Sequence, residues 1–318
     1  MILTYFLFVI GFIILILGAQ AMVNGASGIG LKLKVPQMVM GLTVVALGTS
    51  LPELIVNVFA SIQGSTNLAI GNVLGSNITN TLLVVGVAAI IIPIRIGKKS
   101  LTQDIPYSMA IVVILFLLGN DWIFGRTNRI NRLDGVILIL FLLVFLYSVF
   151  FKQEAEDPLL KEHLKPMGLG RAIIYVVLGS LGLYFGGKWI VDGALVIASA
   201  MGISETAMGL TLVSGATSLP ELVTSIIAAR KNNADMALGN AVGSNIMNIL
   251  LVLGVSALIR PLPFPAHLNV ELGLVFFASL LLVVFAKFGK AKNTLSRWEG
   301  ILLVIFYVAF IYFSTQYQ

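Results

Sequence analysis

The chain has 318 residues, 58% of them hydrophobic and only 11% charged, which is too little charge to clothe a soluble domain, so a lipid bilayer must cover most of its outside. Its net charge of +6 is spread among loops and implies no nucleic-acid partner, while zero cysteines exclude disulfides, thiolate metal sites and cysteine nucleophiles. Crossing a hydrocarbon core takes ~20 mainly apolar residues as a helix, and the sequence predicts about ten such stretches, the mark of an all-α polytopic membrane protein. The continuous apolar runs argue against barrel strands, which alternate over ~10 residues.

The first span, 3–24, lacks the basic leader of a secretory signal and is expected in the mature protein. Spans 37–60, 68–92 and 104–120 follow, then 132–151, whose start carries Asn131 and Asp134 at capping-box spacing. Residues 152–169 mix Glu154, Glu156 and Asp157 with lysines and prolines and are expected to be a linker. The second series runs 170–192, 205–229, 235–259, 268–286 and 298–315, with Ser204–Glu205 and Ser296–Glu299 as helix starts. Of the 20 lysines and arginines, only Arg126, Arg129, Arg132, Lys188 and Arg260 fall on the side of the even-numbered loops. The positive-inside rule then puts the odd-numbered loops and the 152–169 linker in the cytoplasm and both termini outside. His163 and His267 lie between spans, which argues against a histidine-based intramembrane enzyme.

The chain repeats itself. Gly41-Leu-Thr-Val-Val-Ala-Leu-Gly-Thr-Ser-Leu-Pro-Glu53 recurs as Gly209-Leu-Thr-Leu-Val-Ser-Gly-Ala-Thr-Ser-Leu-Pro-Glu221, an offset of 168 residues. At the same offset Gly71-Asn-Val-Leu-Gly-Ser-Asn-Ile-Thr-Asn80 returns as Gly239-Asn-Ala-Val-Gly-Ser-Asn-Ile-Met-Asn248, and Val23-Asn24-Gly25 echoes in Val191-Asp192-Gly193. The halves, 1–151 and 170–318, are therefore expected to be two five-helix repeats. Five is odd, so the second copy enters from the opposite side and the ten transmembrane helices form two inverted repeats, with a binding site near mid-membrane where they meet.

Glu53 and Glu221 fall near the middle of apolar spans, where an acidic residue costs several kcal/mol unless compensated. Cation binding or proton carriage compensates it; a purely structural carboxylate is the alternative. Pro52 and Pro220 remove a backbone donor, and Gly48 and Gly215 loosen the chain upstream, so both helices are expected to break and free carbonyls for a cation, with Ala46, Thr49, Ser214 and Thr217 as candidates. Thr49 and Ser50 stand four and three residues before Glu53, as Thr217 and Ser218 do before Glu221, so hydroxyls gather beside each carboxylate. The second motif lays a polar stripe of Asn72, Ser76 and Asn80, mirrored by Asn240, Ser244 and Asn248. Ser76, Asn80, Ser244 and Asn248 are expected ligands, whereas Asn72 and Asn240 fit interhelical glue equally well. Such an all-oxygen site suits hard cations, calcium above magnesium, and its charge of −2 matches one divalent or two monovalent ions. No cofactor and no obligate protein partner is implied.

At these motifs the sequence resembles the cation/calcium antiporter superfamily, whose paired alpha repeats contain G-T-S-L-P-E and G-N-x-x-G-S-N-like segments. The resemblance covers essentially the full length and implies the layout of the compact prokaryotic sodium/calcium exchangers, in the cell membrane, with calcium between helices 2, 3, 7 and 8 and sodium around it. It implies Glu53 and Glu221 as shared carboxylates, Ser50, Ser76, Asn80, Ser218, Ser244 and Asn248 as side-chain ligands, and mainly backbone oxygens from Thr49 and Thr217. The first and sixth helices would slide against the core. Exchangers of the family carry Asp where this chain has Asn248, and the second repeat reads Gly-Ala-Thr-Ser over 215–218 where Gly-Thr-Ser is usual. A sodium/calcium antiporter is the leading expectation, with calcium/proton exchange as the alternative and a passive cation channel as the reading from another class.

Overall fold

The computed structural model describes residues 2–120, 128–151, 167–200 and 214–316 and is helical nearly throughout. In chain order the helices are α1 (Ile2–Leu33), α2 (Gln37–Thr49), α3 (Leu51–Gln63), α4 (Thr66–Ile91), α5 (Ser100–Gly119), α6 (Arg132–Phe151), α7 (Leu169–Ala200), α8 (Ser214–Thr217), α9 (Leu219–Arg230), α10 (Ala234–Ile259), α11 (Leu268–Phe288) and α12 (Arg297–Gln316). Among the described residues eight helices are long and apolar enough to cross a membrane, or nine if the bent pair α2–α3 counts as one span. The first part of the expected span 205–229 and the helix start at Ser204–Glu205 lie outside the described residues, as does most of the 152–169 segment.

Local chemistry explains where the elements end. Between α2 and α3 the chain bends by 45° at Ser50, whose φ of −84° and ψ of 5° leave the helical basin. Pro52 stands in the first turn of α3, where its missing N–H costs nothing, but the carbonyl of Gly48 loses its donor. The break between α8 and α9 is the same, with Ser218 at φ −85° and ψ 1° and Pro220 in the first turn. α3 stops at Gly64, whose φ of +85° lets the Ser65 N–H reach back to the Ala60 carbonyl at 2.8 Å. Asn232, at the equivalent place after α9, adopts φ 57°, and Asn233 N–H bonds the Ala228 carbonyl at 2.9 Å. α6 opens on a full capping box: Asn131 Oδ1 accepts from Leu133 and Asp134 N–H at 2.8 and 3.2 Å, and Asp134 accepts from Asn131 N–H at 2.8 Å. At α12 Glu299 accepts from the Ser296 backbone N–H at 2.9 Å and from its hydroxyl.

The helices differ in what surrounds them. In α4 and α10 the most apolar window is 72% and 78% buried, against 17–44% for the other spans, so these two form the centre and the rest present apolar flanks to lipid. α1 and α7, each 32 residues, run well past the expected 3–24 and 170–192; at 1.5 Å per residue they reach ~48 Å, longer than a hydrocarbon core. They pack antiparallel: Gly11 lies by Gly186, Gly18 by Gly182 and Gly179, and Gly25 by Ala172 and Val176. A Cβ at Gly18 would stand 2.8 Å from the Gly182 carbonyl carbon, so only glycine permits this approach.

Two short antiparallel strand pairs join the halves, β1 (Ile94–Arg95) with β4 (Thr294–Leu295) and β2 (Arg129–Ile130) with β3 (Leu262–Pro263). At the end of α9 the half-buried Lys231 donates to Asn24 Oδ1 of α1, and burial pushes its ammonium below the ordinary lysine range.

Candidate ion-binding site

Glu53 and Glu221 stand in the first turns of α3 and α9, directly after the two breaks, and both are fully buried. Neither has a cationic partner; the only ion pair among the described residues joins Lys188 and Asp192 at 2.5 Å on the surface. Glu221 Oε1 accepts from the hydroxyls of Ser50 at 3.2 Å and Ser244 at 3.3 Å, so one carboxylate collects donors from both halves. Both Glu53 oxygens and Glu221 Oε2 have no hydrogen-bond partner among the described residues. Asn80 Oδ1 and Nδ2 and Asn248 Oδ1 are buried and unpartnered as well. Buried polar atoms are rarely left so, because each unmet group costs about 1–3 kcal/mol and a charged one more. Here Glu53, Glu221, Asn80 and Asn248 together carry six such atoms, and Ser61, Thr224 and Asn245 carry one each outside this group.

The neighbouring hydroxyls and amides explain how these atoms are held apart. Thr49 Oγ1 donates to Asn240 Oδ1 at 3.1 Å and lies 3.3 Å from Ser244 Oγ; Thr217 Oγ1 donates to Asn72 Oδ1 at 3.1 Å and lies 3.4 Å from Ser76 Oγ. The two sets correspond residue by residue at the offset of the repeat. Asn72 Nδ2 donates to Asn57 Oδ1 at 2.9 Å and Asn57 Nδ2 to the Ala69 carbonyl at 2.8 Å, whereas Asn240 Nδ2 donates to Ser225 Oγ at 3.0 Å and Ser225 Oγ to the Ala237 carbonyl at 3.3 Å. Asn72 and Asn240 are thus struts, each with its amide oxygen and its amide nitrogen in hydrogen bonds to neighbouring side chains. Asn57 and Ser225 were not singled out by the motifs, yet both are polar, lie in apolar spans and stand 168 residues apart, which is the signal that marks them.

The polar stripes end on altered backbone. α4 changes to π-helical turns at Thr79–Val84 and α10 at Asn248–Leu253, so Asn80 and Asn248 lie on wider turns than a spacing of four assumes. Of the carbonyls expected to be freed, that of Ala46 accepts from Ser50 N–H at 3.0 Å and from Thr49 Oγ1 at 3.3 Å; the one stripped by Pro52 is Gly48. Ser214 lies in α8, and Ser218 forms the break before Glu221. The α1–α7 pair covers both breaks: a Cβ on Gly48 would collide with Met22 and Ser180, and Gly187 packs over Pro220. Among the described residues no third carboxylate, histidine or cysteine joins the two glutamates. The chemistry available is therefore that of two carboxylates with neutral oxygens, buried among helices, a setting for a hard cation rather than for a nucleophile.

The sodium/calcium exchanger protein family matches residues 3–151 and 171–316. The chain belongs to this family. Sodium/calcium exchanger MaX1 of Methanosarcina acetivorans is 33% identical to it over 352 aligned residues, covering 96% of this chain and 97% of the relative. The inner membrane protein YrbG of Escherichia coli is 36% identical over 270 residues, covering 82% and 81%. The solved structure of the sodium-calcium exchanger NCX_Mj, soaked with 10 mM Na+ and zero Ca2+, superposes with a TM-score of 0.83 at 34% identity over 97% of each chain. This exchanger-family chain is an integral membrane protein with the NCX_Mj fold, and its relatives are transporters rather than enzymes.

Proposed function

We propose that the chain is a secondary antiporter that exchanges calcium for sodium by alternating access, with the ions bound at mid-membrane. The observation that carries this reading is the set of buried, unpartnered polar atoms on Glu53, Glu221, Asn80 and Asn248, which calls for a cation between the halves. In this reading the two carboxylates, Ser50, Ser76, Asn80, Ser218, Ser244 and Asn248 bind through side chains, and Thr49, Thr217, Ala46 and Ser214 through backbone oxygens. The site sits between two inverted five-helix repeats, 1–151 and 170–318, joined by the 152–169 linker. Support for inversion comes from the antiparallel packing of α1 on α7, which correspond at the repeat offset, and from the matched breaks at Ser50 and Ser218. The stretches matched by the family, 3–151 and 171–316, are separated at the same linker. The α1–α7 pair, peripheral and lying across both breaks, is the element that uncovers the site to each side. The positive-inside balance puts the linker in the cytoplasm and both termini outside a prokaryotic cell membrane.

The names of MaX1 and NCX_Mj, both sodium/calcium exchangers, support sodium as the counter-ion. The charge count favours a second reading, calcium/proton exchange: Asn248 is neutral, so Glu53 and Glu221 hold the whole −2, and two protons balance it as well as two sodium ions. Calcium uptake into vesicles holding the reconstituted protein, driven by an outward sodium gradient at equal pH on both sides, separates them. Sodium-driven uptake is expected. Uptake that ignores sodium and follows a pH gradient would replace it with proton exchange, and flux that needs no counter-ion would make the chain a channel.

A further inference from the structure

We infer that Asn77 is a positioning residue that turns the Asn248 amide so that its oxygen faces the bound cation. The inference rests on the reading of Asn248 as a ligand. Asn77 follows the stripe residue Ser76 on α4 and is fully buried. Its Nδ2 donates to the backbone carbonyl of Asn245 at 3.3 Å. A carbonyl only accepts, so the amide nitrogen of Asn77 must face it and the Asn77 oxygen must face the other way. There it meets Asn248 Nδ2 at 3.2 Å. Because Asn77 offers an acceptor, Asn248 has to answer with its NH2, and its own oxygen is left buried and unpartnered. Flipping either amide would set two acceptors or two donors face to face. The orientation of a neutral ligand, which a lone asparagine leaves open, is here decided by the carbonyl two bonds away. That orientation matters because only the amide oxygen can ligate a cation, whereas the NH2 repels it.

The arrangement exists in one half only. By the repeat the equivalent pair is Asn80 with Asn245, yet Asn80 Oδ1, Asn80 Nδ2 and Asn245 Oδ1 all lack hydrogen-bond partners. Thr81 is the cause: its hydroxyl accepts from Asn245 Nδ2 at 2.7 Å and donates to the Asn77 carbonyl at 2.9 Å. Its counterpart, Ile249, can do neither. Asn248 is therefore pinned and Asn80 is free to turn.

Calcium titrations of the purified full-length chain by calorimetry, with unfolding temperatures measured alongside, test this. Asn77→Ala is expected to lower calcium affinity about 10–100-fold, the usual effect of removing an outer-sphere partner, with little change in unfolding temperature. In an Asn248→Asp background the same substitution is expected to leave affinity unchanged or to improve it, since a carboxylate has two like oxygens and gains nothing from facing the Asn77 acceptor. Equal losses in both backgrounds would make Asn77 a structural residue and overturn the inference, as would no loss from Asn77→Ala alone. If Asn77→Ala does not fold, Asn77→Ser, too short to reach both partners, takes its place with the same expected pattern. Asn248→Ala without loss of calcium binding would instead remove the ligand role on which the inference rests.

Discussion

Glu53 and Glu221 are equivalent in the repeat but not in their surroundings: Glu221 accepts two hydroxyl hydrogen bonds, and Glu53 accepts none from another side chain among the described residues. Without a cation, Glu53 is the more costly charge, because a buried carboxylate is tolerable only when paired or solvated. Glu53→Gln is thus expected to raise the unfolding temperature in chelator while removing the stabilisation that calcium confers, as measured by thermal shift. Glu221→Gln is expected to abolish the calcium effect too, but with a smaller gain in chelator. Each substitution removes a unit charge: at effective dielectric ~20 two opposite unit charges ~4 Å apart attract by about 4 kcal/mol, and a divalent ion by about twice that, so a loss of at least about a thousandfold in affinity is expected. Unchanged calcium affinity in both variants would leave the site without its principal ligands. The two glutamates stood out in the sequence because a charge in an apolar span needs a reason. The different hydrogen bonding of the two did not, since it depends on which hydroxyls arrive from the other half.

Among the elements, α1 and α7 are the pair whose packing the sequence only partly announces. Gly11, Gly18 and Gly25 recur every seven residues, as do Gly179, Gly186 and Gly193, a spacing that draws two backbones together in lipid, where packing rather than water drives association. Gly18→Val puts a branched side chain against the backbone of Gly182 and Gly179. It should cost about 1–3 kcal/mol by overpacking, seen as a lower unfolding temperature, and should depress the calcium uptake rate more than calcium affinity, since α1 supplies none of the proposed ligands. An equal fall in affinity would count against α1–α7 as the uncovering element. The π turns at Thr79 and Asn248 had no sequence signal: Met247 and Asn248 occupy places where Thr79 and Asn80 stand, and nothing in their residue types asks for an extra residue in the turn.

For the whole molecule, the basic residues predict an orientation that a cysteine-free chain lets one measure cleanly. Single cysteines at Lys98 and Lys290 are expected to react with an impermeant maleimide only from the cytoplasmic face, and one at Arg129 only from outside, in oriented vesicles or spheroplasts. Labelling of Lys98→Cys and Arg129→Cys from the same face would contradict the odd-helix count per half and with it the inverted arrangement. The strand pairs β1–β4 and β2–β3 each join a loop of one half to a loop of the other. They came without warning, because two-residue strands lie below any periodicity a sequence carries.

By itself the sequence determined that this is a membrane-embedded helical protein, where its spans lie to within a few residues in most cases, that its motifs occur twice at one offset, and that two glutamates fall inside apolar spans. Those properties are local or compositional: hydropathy, proline chemistry and self-similarity act along the chain. Tertiary structure alone decided that Asn72 and Asn240 spend their amides as struts, that Thr49 reaches across to Asn240 and Thr217 to Asn72, and that Asn77 faces Asn248 while Asn245 turns to Thr81. A hydrogen bond has a direction and a partner, and when the partner stands about 140 to 195 residues away, only the packing of α4 and α10 against the broken helices can choose it.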